Sequence, residues 1–82
     1  MSYKVFLRRK AIRSLKNLPS DIKDRIKQAL FQLKDFPKNL DVLKIKGTKN
    51  KYRIRVGKYR IIIELQRDTI IVIDILPRKR AY

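Results

Sequence analysis

From Lys51 to Ile63 basic and apolar side chains alternate, Lys-Tyr-Arg-Ile-Arg-Val and then Tyr-Arg-Ile after a two-residue break. A period of two is the mark of a strand whose two faces differ. The pattern predicts three strands in a meander, at Lys51–Val56, Tyr59–Gln66 and Ile70–Leu76. Gly57-Lys58 and Arg67-Asp68-Thr69 separate them. Upstream, Ser2–Leu7 reads as a first strand. Arg8–Asn17 then carries Ala11, Ile12, Leu15 and Leu18 at helical spacing.

Leu18-Pro19-Ser20-Asp21 breaks that helix and starts another. Ser20 is placed to accept a hydrogen bond from the open amides, and Asp21 suits the positive end of the helix. Ile22, Ile26, Ala29, Leu30 and Leu33 then form one apolar stripe, with charged and polar residues around the rest of the circumference. Phe36-Pro37 ends it, because proline disfavours helical geometry in the residue before it. Pro37–Gly47 reads as a connection with room for a short extended piece at Val42–Ile45. Two helices need an apolar sheet face to cover. The expected fold is therefore α+β, with two N-terminal helices packed on one face of a small, mostly antiparallel sheet in the order β-α-α-β-β-β.

A chain of 82 residues is too short to divide its apolar residues between two cores, so residues 1–82 are expected to form a single domain. A hydrophobic content of 44% argues against disorder. With neither Cys nor His there is no disulfide framework and no zinc site of the usual ligands. The few carboxylates are not clustered for a hard cation, so neither metal nor cofactor is expected. No stretch approaches the roughly 18 residues of a membrane span, and no signal-peptide pattern is present. The expectation is a cytoplasmic protein with no membrane partner.

Charge narrows the reading further. Lys and Arg number 23 against 7 Asp and Glu, a net charge of +16. A surface of one sign favours an anionic partner, whereas a merely solubilising surface mixes both. Between Asp41 and Glu64 stand eight basic residues and no acidic one: Lys44, Lys46, Lys49, Lys51, Arg53, Arg55, Lys58 and Arg60.

Gly57-Lys58, with glycine first, suits a type II′ hairpin, whose first position needs positive φ. That turn sets Val56 opposite Tyr59, Arg55 opposite Arg60, Arg53 opposite Ile62 and Lys51 opposite Glu64. Tyr52, Ile54, Val56, Tyr59, Ile61 and Ile63 share the other face and read as core. Like charges directly opposed cost up to about 1 kcal/mol, a cost that a purely structural sheet would avoid. Guanidinium groups are planar, stay protonated and offer paired N–H donors to phosphate oxygens. Arg78, Lys79 and Arg80 come after the last strand, and Tyr82 ends the sequence with a phenol and an α-carboxylate.

The run Tyr52-Arg53-Ile54-Arg55-Val56-Gly57-Lys58-Tyr59-Arg60-Ile61 and the ending Leu76-Pro77-Arg78-Lys79-Arg80-Ala81-Tyr82 resemble the RelE/ParE toxin superfamily, RelE-like branch. The likeness spans nearly the whole chain. It implies the toxin of a type II toxin–antitoxin pair, an endoribonuclease that cuts mRNA in the ribosomal A site by attack of the RNA 2′-hydroxyl on the adjacent phosphate. Its implied partners are a RelB-like antitoxin, the ribosome and mRNA.

By resemblance Arg53, Arg55, Arg60, Arg78, Arg80 and Tyr82 form the catalytic set. Lys44, Lys46, Lys49, Lys51, Lys58 and Lys79 are expected to bind RNA as steering charge. Where some relatives carry lysine, Arg53 and Arg55 can only position phosphate and neutralise charge, since arginine does not give up its proton. The absence of histidine removes the usual acid–base pair. Tyr82, whose ionised form neighbouring cations favour, becomes the candidate base, with Glu64 next. Two other classes stay open: a ParE-like inhibitor of DNA gyrase without chemistry, and a plain nucleic-acid-binding module.

Overall fold

A computed structural model describes residues 2–80, and for Arg80 the backbone alone. The chain forms β1 (Lys4–Leu7), α1 (Arg9–Lys16), α2 (Ser20–Gln32), a short 3-10 turn (Leu33–Asp35), β2 (Asp41–Lys44), β3 (Lys51–Val56), β4 (Tyr59–Gln66), β5 (Thr69–Pro77) and a second 3-10 turn (Arg78–Arg80). The strands make one five-stranded sheet in the order β1-β5-β4-β3-β2. β1 runs parallel to β5, and every other pair is antiparallel. This is the expected α+β arrangement with one strand more, because the connection before Gly47 folds back as the edge strand β2.

α1 lies against β5 and β1, and α2 against α1 and β3. Between helices and sheet, Ala11, Ile26, Leu33, Ile54, Ile61, Ile63, Ile70, Val72 and Ile75 are buried. Fully burying an Ile or Leu side chain is worth about 1.5–3 kcal/mol, so this layer is what offsets the mutual repulsion of the cations. Tyr52 and Tyr59 pack on the core as expected. Phe36 sits edge-on between Tyr3 and Tyr52.

Two local expectations are corrected. Pro19, not Ser20, occupies the capping position of α2, and no side chain caps it. Proline meets the extended geometry there (φ −55, ψ 149) and its missing N–H costs nothing before a helix. The Pro19 carbonyl accepts from the Lys23 amide at 2.8 Å. On α1, Ala11 is buried and Leu15 and Leu18 pack on the core as expected, but Ile12 leaves the stripe and is 42% exposed.

β5 contains an irregularity that alternation alone conceals. Ile62 pairs with Asp74 but Ile63 pairs with Val72, leaving Ile73 as an extra residue. Such a bulge resets the facing of the residues beyond it, and both Val72 and Ile75 are consequently buried. Asp74, at the bulge, is 3% exposed. Its Oδ1 accepts from Ser14 Oγ at 2.7 Å and from the Ile75 amide at 2.7 Å, and Lys10 Nζ lies 3.4 Å from Oδ2. A buried carboxylate needs such partners, and these tie α1 to β5.

Candidate functional site

The β3–β4 register is the expected one. Lys51 faces Glu64, Arg53 faces Ile62, Arg55 faces Arg60 and Val56 faces Tyr59. Gly57 has φ +58, while Lys58 is not among the positive-φ residues, the pattern of a turn that needs glycine first. Because Ile54 and Ile61 face the core, Arg53, Arg55 and Arg60 fall on the face away from the helices.

There they converge on a shallow hollow of about 170 Å³, lined by Asp41, Val42, Leu43, Arg53, Arg55 and Arg60. The arginines hold different positions in it. Arg60 is only 6% exposed, and its Nη1 donates to the carbonyls of Tyr59 at 3.0 Å and Gly57 at 3.3 Å. Arg55 is exposed, and its Nε donates to Asp41 Oδ2 at 2.6 Å. Arg53 lies half-buried between Leu43 and Ile62 in the ladder. The opposed pair Arg55–Arg60 is thus reconciled by two separate devices, a carboxylate for one and main-chain carbonyls for the other.

Asp41 escaped the sequence reading because it stands in what looked like a connection. Its register partner across β2–β3 is Arg55, which no local spacing discloses. Glu64 is not part of the hollow. Its Oε2 accepts from Gln66 Nε2 at 2.6 Å.

The remaining cations are spread apart. Arg78 is exposed, and its amide donates to the Lys58 carbonyl at 2.8 Å, which holds the start of the tail against the hairpin turn. Lys58 and Lys79 are exposed nearby in the chain at that end. Lys46 and Lys49 lie in the β2–β3 loop and Lys51 opens β3, at the far end of the hairpin. Lys44 pairs with Tyr52 and so shares its parity, opposite to that of Arg53 and Arg55. The side chain of Arg80 and the whole of Tyr82 lie outside the described residues.

The open sheet face also carries apolar side chains. Phe6, paired with Ile71, and Leu43, paired with Arg53, are each 59% exposed. Leu43 lines the hollow, whereas Phe6 lies on β1 at the opposite edge of the sheet.

The profile of the ParE toxin of the type II toxin–antitoxin system parDE matches residues 5–82. Toxin RelE3 of Methanocaldococcus jannaschii is 42% identical over 83 residues, spanning 96% of this chain and 94% of that protein. The RelB–RelE antitoxin–toxin complex from Methanococcus jannaschii superposes with a TM-score of 0.81 at 40% identity, covering 90% of this chain and 91% of that one. The archaeal RelE–RelB complex from Pyrococcus horikoshii OT3 gives 0.82 at 30% identity, covering 99% and 100%. By the matching family profile, the sequence identity to RelE3 and the shared fold, this chain belongs to the RelE/ParE superfamily of type II toxins and is RelE-like within it.

Proposed function

We propose that the chain is the toxin of a type II pair and an endoribonuclease that cuts mRNA in the ribosomal A site. The 2′-hydroxyl oxygen attacks the adjacent phosphorus while the bond from phosphorus to the 5′-oxygen breaks. The products are a 2′,3′-cyclic phosphate and a 5′-hydroxyl, and the proton lost from the 2′-oxygen is balanced by one gained at the leaving oxygen.

The observation that carries this reading is the convergence of Arg53, Arg55 and Arg60 on one hollow, with Arg60 buried and fixed by two carbonyls. Charge gathers on the phosphoryl oxygens in the transition state. Donors already held in place stabilise it without reorganising. Arginine cannot take the proton, so by resemblance that role passes to Tyr82. The chain therefore supplies charge and position, and the ribosome holds the message in line for attack. The lysines at the two ends of the hairpin steer the protein to ribosomal RNA in the cytoplasm.

A RelB-like antitoxin is the fitting partner, as in the two archaeal complexes. Phe6 and Leu43 offer apolar anchors and the arginines call for acidic groups, so one segment covering this face silences the hollow. The test is in vitro translation with primer-extension mapping. Breaks at A-site codons, abolished by Arg60→Ala and by Tyr82→Phe, are expected, and an intact message would sink the proposal. The profile that matches carries the ParE name, so the same extract is assayed for gyrase supercoiling. Blocked supercoiling with intact mRNA would replace the nuclease reading by the inhibitor one.

A further inference from the structure

Beside the hollow runs a second depression, of about 370 Å³, between α2 and the β2–β3 hairpin. Its walls include Arg25, Gln28, Gln32, Asn39, Asp41 and Arg55. Asp41 and Arg55 line both, so the Asp41–Arg55 pair is the ridge between them. Arg25 comes from the middle of α2, far along the chain from the glycine it covers. A Cβ on Gly57 would stand 3.0 Å from its Nη1 and 3.4 Å from its Cζ. A side chain at Gly57 would press the guanidinium outward by a few tenths of an ångström. The same Gly57 accepts from Arg60 through its carbonyl, which brings Arg25 to the rim of the arginine cluster from a different element. Among the described residues Arg25 makes no ion pair.

We infer that this groove is a second RNA subsite, in which Arg25 binds the backbone phosphate of a nucleotide next to the scissile one while Gln28, Gln32 and Asn39 meet its ribose or base. The inference rests on the nuclease reading, but the groove's affinity for RNA stands apart from cleavage. Charge and chemistry both fit. Amides donate and accept, as ribose hydroxyls and base edges require, and a guanidinium without a carboxylate partner is open to phosphate. An antitoxin helix would instead seek apolar anchors. The apolar members of the lining, Ala29, Leu40 and Val56, are partly buried against the core, and the exposed large apolar side chains Phe6, Ile12, Phe31 and Leu43 are absent from it.

The experiment measures binding of a short single-stranded RNA to the full chain across a salt series, for wild type, Arg25→Gln and Arg25→Lys, with melting temperatures in parallel. Loss of one phosphate contact lowers the slope of log affinity against log salt by about 0.7. Arg25→Gln is expected to show that drop with several-fold weaker binding, and Arg25→Lys to restore the slope. An unchanged slope for Arg25→Gln, whether its melting temperature or its affinity for antitoxin falls instead, overturns the proposal. So does a wild type with no RNA affinity. If wild type binds RNA through Arg25 yet never cuts on ribosomes, the subsite stands and the nuclease reading alone fails.

Discussion

Arg55 and Asp41 face each other across the β2–β3 ladder, with Nε donating to Oδ2 at 2.6 Å and both side chains more than half exposed. The pair holds Arg55 against a carboxylate of its own chain at the wall of the hollow. In the proposed nuclease, an RNA phosphate would have to displace that carboxylate to use Arg55.

Removing that competitor should favour RNA at little structural cost. Asp41→Asn is expected to raise RNA affinity, while stability changes by less than about 1 kcal/mol because exposed ion pairs contribute little. Fluorescence titration with RNA and urea unfolding measure the two effects.

Arg60 sets the opposite case. Arg60→Ala should lower the single-turnover cleavage rate on programmed ribosomes by roughly 10²–10³-fold, the range seen when one preorganised donor to a developing anion is lost. Arg60→Lys should rescue poorly, since an ammonium cannot keep both carbonyl bonds and a planar fork toward phosphate. Antitoxin-bound yield separates this from misfolding.

The staple between α1 and β5 should be readable by a double-mutant cycle. Ser14→Ala and Asp74→Ala are each expected to destabilise, with a coupling of about 1 kcal/mol for the shared hydrogen bond. Urea midpoints for the four proteins give the number.

The core tolerates less. Ile61→Ala removes a fully buried side chain at the centre of the sheet and should cost about 2–5 kcal/mol. That is a large share of a total margin of about 5–15 kcal/mol. Circular dichroism melts and a drop in soluble yield would record it.

Charge placed on the open face should affect the antitoxin first. Leu43→Asp is expected to weaken capture by the cognate antitoxin at least tenfold and to leave α1–β5 coupling intact. Co-purification with competition titration measures this, and undiminished capture would show that the antitoxin docks elsewhere.

The hairpin and its arginines were legible in the sequence because a glycine-first, two-residue turn admits one register, and alternation then assigns every face. What escaped depended on partners distant in the chain. Asp41–Lys44 was legible only as a short extended piece at Val42–Ile45, and its place as an edge strand is set by pairing with β3. The β5 bulge lies in an Ile-Ile-Val-Ile run, where no polar residue marks the parity. Arg25 looks like any solvated helix residue, and its approach to Gly57 is a product of how α2 crosses the sheet. Pro19 displaced Ser20 from the cap because a fixed φ competes as well as a hydroxyl.

β5 is the last strand of the sheet along the chain, yet it lies inside it, flanked by β1 and β4. Until Ile70, Val72 and Ile75 have left the ribosome, β1 has no neighbour and α1 has little to cover. The layer behind the arginine hollow thus closes only once β5 is in place, so β1 and α1 wait on a partner that lies far along the chain.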